Sequence, residues 1–526
     1  MNPTWLLAAT LLSAEARPAD VAVVCPYAFR QTFEAWLDYR RDQGYVPLVI
    51  AGELDPLEIK IQLQDAYAEN PRLAVVLVGD AEPAADYDAV TRARSVPAYQ
   101  VEAKVNVRFG SEPLIATDNW YADFDDDGIP EVPVGRLPVD SRAELSRLIR
   151  RIIDYENSTN FGPWRRKINF VAGVGNFGFL ADAAVENVTK SLLTRHLPPA
   201  YESTMTYAGW QSPYCPGPPL FQQCAIGRFN EGCLLWVYLG HGQRTEVDRI
   251  HTPEGAYPIL SRRDLGALRA GRHPPLAVFF SCYSGAYDGY EDCLAEEMVC
   301  TDGGPIAALC GSRVTMPYAM SLLGQEMMGG FFESRADTIG QVLLKAKTGM
   351  AAKPRDGAEA RQFDALAKVL MPMAADLQAQ RTEHLHLFNL LGDPLLRLRH
   401  PQRVPLSAPR EVRAGDRLDL VGEVPFDGTA VVEFVVRRDR ITFEPPQRET
   451  YDVRPAGLQE FASTYVRAND ARLATETVGL SQGKFSLSFT VPEEARGDCH
   501  VRLFLEGTSD FAAGSADVRV APVGAN

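Results

Sequence analysis

Two apolar runs end in residues capable of covalent chemistry. Leu234-Leu235-Trp236-Val237-Tyr238-Leu239 leads into Gly240-His241-Gly242, and Leu276-Ala277-Val278-Phe279-Phe280 leads into Ser281-Cys282-Tyr283. Each run has the length and continuous hydrophobicity of a buried strand. In an open parallel sheet, ligands bind beyond the carboxyl ends of the strands. If these two strands are neighbours, roughly 4.8 Å apart, an imidazole and a thiol face each other across a scissile peptide. The thiolate then attacks the carbonyl carbon and the histidine protonates the leaving amine. Gly242 leaves the backbone beside His241 uncovered, so its N–H and that of Cys282 form the expected oxyanion site, each donor worth ~3 kcal/mol. Alone, a histidine or a cysteine after an apolar strand is more often a packed residue. The pair, histidine first and 41 positions apart, carries the reading.

A second set of side chains is acidic. Asp123, Asp125 and Asp127 alternate ahead of Gly128, with Glu131 in the ninth loop position, the carboxylate spacing that wraps calcium. Val134 stands where an EF-hand needs its bidentate glutamate, so a full EF-hand is excluded. A partial, structural calcium site and a plain acidic turn both fit. Thiol chemistry itself requires no cofactor. Nine cysteines are an odd number, consistent with one thiol kept reactive. Cys215 and Cys224 flank a Pro-Gly-Pro-Pro stretch that a disulfide could close, and Cys25 and Cys310 sit in apolar runs as small buried hydrophobes.

The elements that must position these groups alternate as in an α/β protein. The run from Val21 to Cys25 reads as a strand, and a helical stretch bearing Phe29, Phe33, Trp36 and Leu37 follows, ending at Gly44. A strand over 47–51, a helix over 56–68 and a strand over 73–78 come next, implying a sheet covered on both faces. Ser141-x-x-Glu144 is a capping box opening a helix to Tyr155, with Leu145, Leu148, Ile149, Ile152 and Ile153 on one stripe. A second α/β unit carries strands at 168–172, 234–239, 276–280 and 305–309. Beyond His400 the period changes to two, over 417–424, 430–436, 484–491, 500–505 and 516–520, which suggests an immunoglobulin-like β-sandwich. The expected organisation is an N-terminal α/β subdomain over 20–160, a catalytic subdomain over 164–400, and a β-sandwich over 410–526. The prolines of 401–409 make a stiff linker before the sandwich.

Length and composition agree with a multidomain globular protein: 526 residues, 46% hydrophobic and 23% charged. The net charge of −15, without a cluster of unbalanced Lys and Arg, argues against nucleic acid or an anionic membrane surface as the main partner. No segment after the N-terminus is long and apolar enough for a membrane span. The apolar run from Trp5 to Leu12 and Ala14-Glu15-Ala16 read as a secretion signal over residues 1–16. This places the protein outside the cell or in its envelope; without a working signal it stays cytoplasmic.

Beyond the His-Gly and Ser-Cys motifs, the chain resembles the gingipain family of the caspase-like clan of cysteine peptidases in three stretches. They are Leu77-Val-Gly-Asp80, the run from Asp118 to Arg136, and Phe388-Asn-Leu-Leu-Gly-Asp-Pro394. The resemblance implies caspase-like parallel sheets with flanking helices in two subdomains, an immunoglobulin-like tail, and cysteine endopeptidase activity on protein or peptide substrates through His241 and Cys282. It also implies a specificity pocket with Asp182 at its floor and Tyr318 and Leu322 in its walls, favouring arginine over lysine before the scissile bond. Asp182 also reads, ahead of that role, as a cap of the helix running through Val188, and Arg136 and Arg313 as partners in loop ion pairs. The family's histidine-assisting glutamate has no counterpart, since Gly175 occupies that place. Neither a long propeptide before Asp20 nor a sorting domain after Asn526 is expected. Two rival readings share the fold: a non-catalytic scaffold on a degenerate frame, and a ligase or transpeptidase passing the acyl group to an amine.

Overall fold

A computed structural model describes residues 17–83, 88–175, 195–352, 364 and 376–521. Ten strands form its central sheet: β1 (Val21–Cys25), β2 (Pro47–Ala51), β3 (Ala74–Val78), β4 (Val134–Leu137), β5 (Lys167–Ala172), β6 (Glu202–Tyr207), β7 (Leu235–Leu239), β8 (Leu276–Phe280), β9 (Ala307–Gly311) and β10 (Phe388–Leu391). Their order is β2-β1-β3-β4-β10-β9-β8-β7-β5-β6. Every pair is parallel except β9–β10, so β1–β4 and β10 run opposite to β5–β9. The two strand sets anticipated as separate sheets therefore merge into one mixed, parallel-rich sheet. Strand β10 is the seam: it lies antiparallel to β9 and touches β4 through Leu391 and Arg136.

Helices cover this sheet as apolar periodicity demands. Helix α1 (Arg30–Asp42) buries Phe33, Trp36 and Leu37. Helix α2 (Pro56–Glu69) starts from an Asp55 capping box, and α3 (Arg142–Glu156) from the Ser141–Glu144 box. Strand β2 departs from expectation: Leu48 and Val49 are exposed, because it is the edge of the sheet. Arg40 of α1 pairs with Glu156 of α3 at 3.0 Å and with Asp393 after β10 at 2.6 Å, all three side chains being at most 1% exposed. The Gly-Asp-Pro motif thus ties the last strand of the sheet to its first helix.

The C-terminal region forms two sheets over a core of its own. One holds 511–521, 497–506, 428–436 and 472–480 in that order, and the other holds 406–407, 417–424 and 483–490. Leu418 and Leu420 of the second sheet share that core with Val432, Phe434 and Val501 of the first. The Pro401–Pro409 segment is not a linker: Gln402 and Arg403 pair with the 511–521 strand, and Leu406 and Ser407 with 417–424. A 14-residue helix, Pro455–Ala468, interrupts the β pattern. All nine cysteines are free, so Cys215 and Cys224 are not bridged, while Cys25 and Cys310 are buried.

Candidate active site

Strands β7 and β8 lie side by side in parallel, with Leu239 opposite Phe280. His241 and Cys282 are each two residues beyond that pair, so the register carries both to the same level at the carboxyl ends of adjacent strands. The Gly240 N–H donates to Phe280 O at 3.2 Å and keeps the strands together up to the site. A Cβ on Gly242 would lie 2.5 Å from Cys282 O and 2.9 Å from the Ser281 side chain. Glycine is thus required there for the histidine loop to rest on the cysteine loop.

The thiol stands on a tight turn. Tyr283 adopts φ 55°, in the left-handed region, and the Ser284 N–H closes back onto Cys282 O at 2.7 Å. The Thr315 N–H reaches Cys282 Sγ at 3.3 Å, and Thr315 Oγ1 lies 3.6 Å from the sulfur. Thr315 follows β9, so three consecutive strands, β7, β8 and β9, supply the surroundings of the thiol. Arg313, as expected of a loop ion pair, binds Asp288 at 2.5 Å. Arg136 pairs with Asp118 at 2.7 Å, fully buried, so the second resemblance motif also serves the frame.

His241 Nε2 lies 2.8 Å from Gly175 O. A main-chain carbonyl from the loop after β5 thus meets the imidazole. The Tyr238 hydroxyl donates to His241 O at 2.8 Å and accepts the Asp248 N–H at 3.2 Å, which fixes the histidine backbone from below. The Asp248 carboxyl is raised above its ordinary range mainly by burial, with the His241 charge acting in the opposite sense. Thr315, Asp248 and the Gly175 carbonyl carry no motif in the sequence. The first two come from loops of irregular length, and the third acts through a backbone atom that any residue would supply.

Of the anticipated pocket, Tyr318 and Leu322 lie on α6 (Pro317–Met328), which begins two residues after Thr315. (Between α3 and α6 run α4, Phe221–Asn230, and α5, Leu294–Cys300.) The Tyr318 hydroxyl donates to Asp364 Oδ1 at 2.8 Å, and Leu322 is fully buried in the main core. Asp182 lies outside the described residues, as does the 1–16 segment. The side chains of Asp123, Asp125, Asp127 and Glu131 converge, one carboxylate oxygen from each lying within 4.8 Å of the others. Asp123 Oδ2 accepts the Gly128 N–H at 3.0 Å, whereas its buried Oδ1 has no hydrogen-bond partner among the described residues. A donor set of hard oxygens with one inward-facing orphan fits calcium.

Comparison with known proteins bears on this geometry. The model of peptidase family C25 matches residues 14–399. Among solved structures, the chain is similar to the Arg-specific cysteine proteinase gingipain R, at 16% identity and TM-score 0.52 over 96% of this chain and 99% of that one. It is similar also to the complex of the Porphyromonas gingivalis RgpB pro- and mature domains, at 17% and 0.52, over 95% and 100%. A third structure, described only as a protease, gives 14% and 0.53 over 96% and 98%. These likenesses are of fold. A search of curated proteins by sequence gave no match. With the family model spanning most of its length, the chain belongs to peptidase family C25, the gingipain family, and is a cysteine peptidase.

Proposed function

We propose that the protein is an endopeptidase that cleaves its substrates through Cys282 and His241. The observation that carries this reading is the register of β7 and β8, which brings the two side chains to the same level on adjacent strands. His241, whose Nε2 donates to Gly175 O, is the group that exchanges a proton with the thiol and the leaving amine. Cys282 Sγ attacks the carbonyl carbon and the C–N bond breaks as His241 protonates the amine. Water then hydrolyses the thioester, with His241 taking the proton. The N–H groups of Gly242 and Cys282 face the developing oxyanion.

Arginine before the scissile bond is the proposed preference. Asp182 supplies the charge, Tyr318 the aromatic wall and Leu322 the aliphatic one, the last two carried on α6. Calcium in the 123–131 loop is proposed as a structural ion, and the segment 1–16 as an export signal. Among the described residues no helix is long and apolar enough to cross a membrane. The C-terminal pair of sheets is proposed to be immunoglobulin-like. The test is a peptide-library digest read by mass spectrometry, with and without calcium. Cleavage products carrying a free carboxyl, absent from the Cys282→Ala digest, support the reading. Products joined to an added amine would assign the thiol to acyl transfer, and an unchanged digest in the variant would remove Cys282 from the chemistry.

A further inference from the structure

Between the end of β9 at Gly311 and the start of α6 at Pro317 the chain passes the thiol in five residues without regular structure, Ser312 to Met316. Four of them are tied to other parts of the molecule. Ser312 Oγ donates to Ala116 O at 2.8 Å, and Arg313 holds Asp288 at 2.5 Å. The Asn106 side-chain amide donates to Val314 O, and the Met316 N–H donates to His384 Nε2 at 2.7 Å. Ala116, Asn106 and His384 are fully buried, so this segment is clamped by the core on both sides of Thr315.

Thr315, the fifth, faces the sulfur with three of its polar atoms. Its N–H reaches Cys282 Sγ at 3.3 Å, its hydroxyl lies 3.6 Å from the same atom, and its carbonyl oxygen lies 3.8 Å away. Among the described residues the hydroxyl has no other hydrogen-bond partner, and Thr315 is only 5% exposed, which leaves water little access to compete for it. Gly311 makes the room. A Cβ there would lie 2.7 Å from Thr315 Cγ2 and 3.0 Å from Ser281 O, so the absent side chain is what lets the methyl pack inward. A β-branched side chain is stiff at χ1, and seating its methyl against Gly311 aims its hydroxyl at the thiol.

We propose that Thr315 is the positioning residue of the nucleophile, an inference that rests on the reading of Cys282 as the attacking group. A hydroxyl both accepts and donates, and its hydrogen rotates to suit. It accepts from the S–H of the resting thiol; once that proton has passed to His241, it turns about its C–O bond and donates to the thiolate. The N–H beside it donates throughout. The sulfur is thereby held in one place, at the carboxyl ends of β7 and β8, before and after it loses its proton. The strict demand is for the hydroxyl: serine meets it, and valine, of the same shape, does not.

The test compares full-length wild type with Thr315→Val and Thr315→Ser. Each protein is alkylated with iodoacetamide at neutral pH, the rate at Cys282 being read by peptide mass mapping, and kcat and KM are measured on one peptide taken from the library digest. Loss of a charge-assisted hydrogen bond should lower both the alkylation rate and kcat of Thr315→Val by roughly tenfold or more, with KM within about twofold of wild type. Thr315→Ser should stay within about threefold of wild type in alkylation and kcat, because the donor is restored. Should the valine variant not fold, Thr315→Ala, which adds no bulk, carries the same requirement. The proposal is overturned if the variant without the hydroxyl reacts and turns over like wild type. It is overturned equally if Thr315→Ser is as slow as Thr315→Val, the result expected of a methyl that merely fills the space beside Gly311. Alkylation needs no peptidase activity, so it decides on Thr315 even if Cys282→Ala digests peptides as wild type does, the separate outcome that removes the thiol from the chemistry.

Discussion

In the proposed mechanism the thiol and the imidazole have unequal roles, and their variants should differ accordingly. Cys282→Ala removes the atom that forms the thioester, so cleavage of a peptide substrate should vanish while circular dichroism and melting stay unchanged. His241→Ala leaves the nucleophile but removes the proton carrier, and general acid–base catalysis contributes ~10²–10⁴-fold. A residual rate within tenfold of wild type would transfer that duty to another group. Gly242→Ala tests a different point. Its added methyl would sit 2.5 Å from Cys282 O, a backbone atom on a turn already pinned by Tyr283 and Thr315. The site must open, and kcat should fall by at least tenfold with both chemical groups intact; unchanged turnover would mean that the two loops slide past each other freely. For the proposed specificity, the Asp182 carboxylate would bind a substrate guanidinium by charge-assisted hydrogen bonds of ~1.5–3 kcal/mol, or roughly 10- to 150-fold over a neutral side chain. Equal kcat/KM for matched arginine and leucine substrates would leave Asp182 as a helix cap.

At the scale of elements, α6 and the β9 loop are set by a histidine that must stay neutral. His384, on the helix Leu377–Leu387, accepts the Met316 N–H on Nε2 at 2.7 Å, while Nδ1 lies 2.7 Å from Gln380 O. Burial pushes its imidazole from 6.5 down to about 4. The unfolded chain therefore binds the extra proton first, and the stability contributed by neutral His384 is complete above pH 6.5 and lost as pH falls toward 4. The loss is on the order of 3 kcal/mol. His384→Gln keeps a hydrogen-bonding side chain without that titration, so the gap between its denaturation midpoints at pH 7 and pH 4.5 should be narrower than in wild type; equal gaps would place the acid sensitivity elsewhere. Such contacts were beyond a reading of the sequence, whereas the strands ending at Leu239 and Phe280 were plain in it, because a buried parallel strand must be continuously apolar. The capping box at Ser141 was legible for an equally local reason. Helix 455–468 was missed because short amphipathic runs lie between strands of period two. The merging of two strand sets through β10 depends on contacts hundreds of residues apart, which leave no periodic mark.

Across the whole molecule, the C-terminal sheets are fastened to the catalytic sheet by buried polar groups. Asn469 exchanges hydrogen bonds with Met205 (2.7 and 3.0 Å), and Tyr465 meets Thr206 at 2.8 Å, so the inserted helix 455–468 covers the β6 edge of the central sheet. Arg438 donates to Leu197 O, Pro198 O and Tyr201 O at 2.5–2.6 Å. At the centre, Glu433 lies between two arginines. Arg502 Nε donates to its Oε2 at 2.7 Å, and Arg166 Nη1 lies 3.0 Å from the same oxygen, off the hydrogen-bond axis, with all three side chains at most 5% exposed. Arg166 immediately precedes β5, two strands from the thiol, while Glu433 and Arg502 belong to the C-terminal sheet. Replacing Glu433 by Gln keeps the shape but leaves Arg502 without its carboxylate and Arg166 with only the longer contact to Glu202, at 4.0 Å. Breaking a buried pair in this way costs about 3–5 kcal/mol. Because the cost falls at the junction, Glu433→Gln should separate an otherwise single denaturant transition into two, with the C-terminal sheets unfolding first and peptidase activity surviving into the plateau between them. A single transition at the wild-type midpoint would show that the two units are coupled through apolar contact alone. Loss of activity at the first step would show instead that the catalytic sheet needs its covered β6 edge to keep the β7 and β8 ends in place.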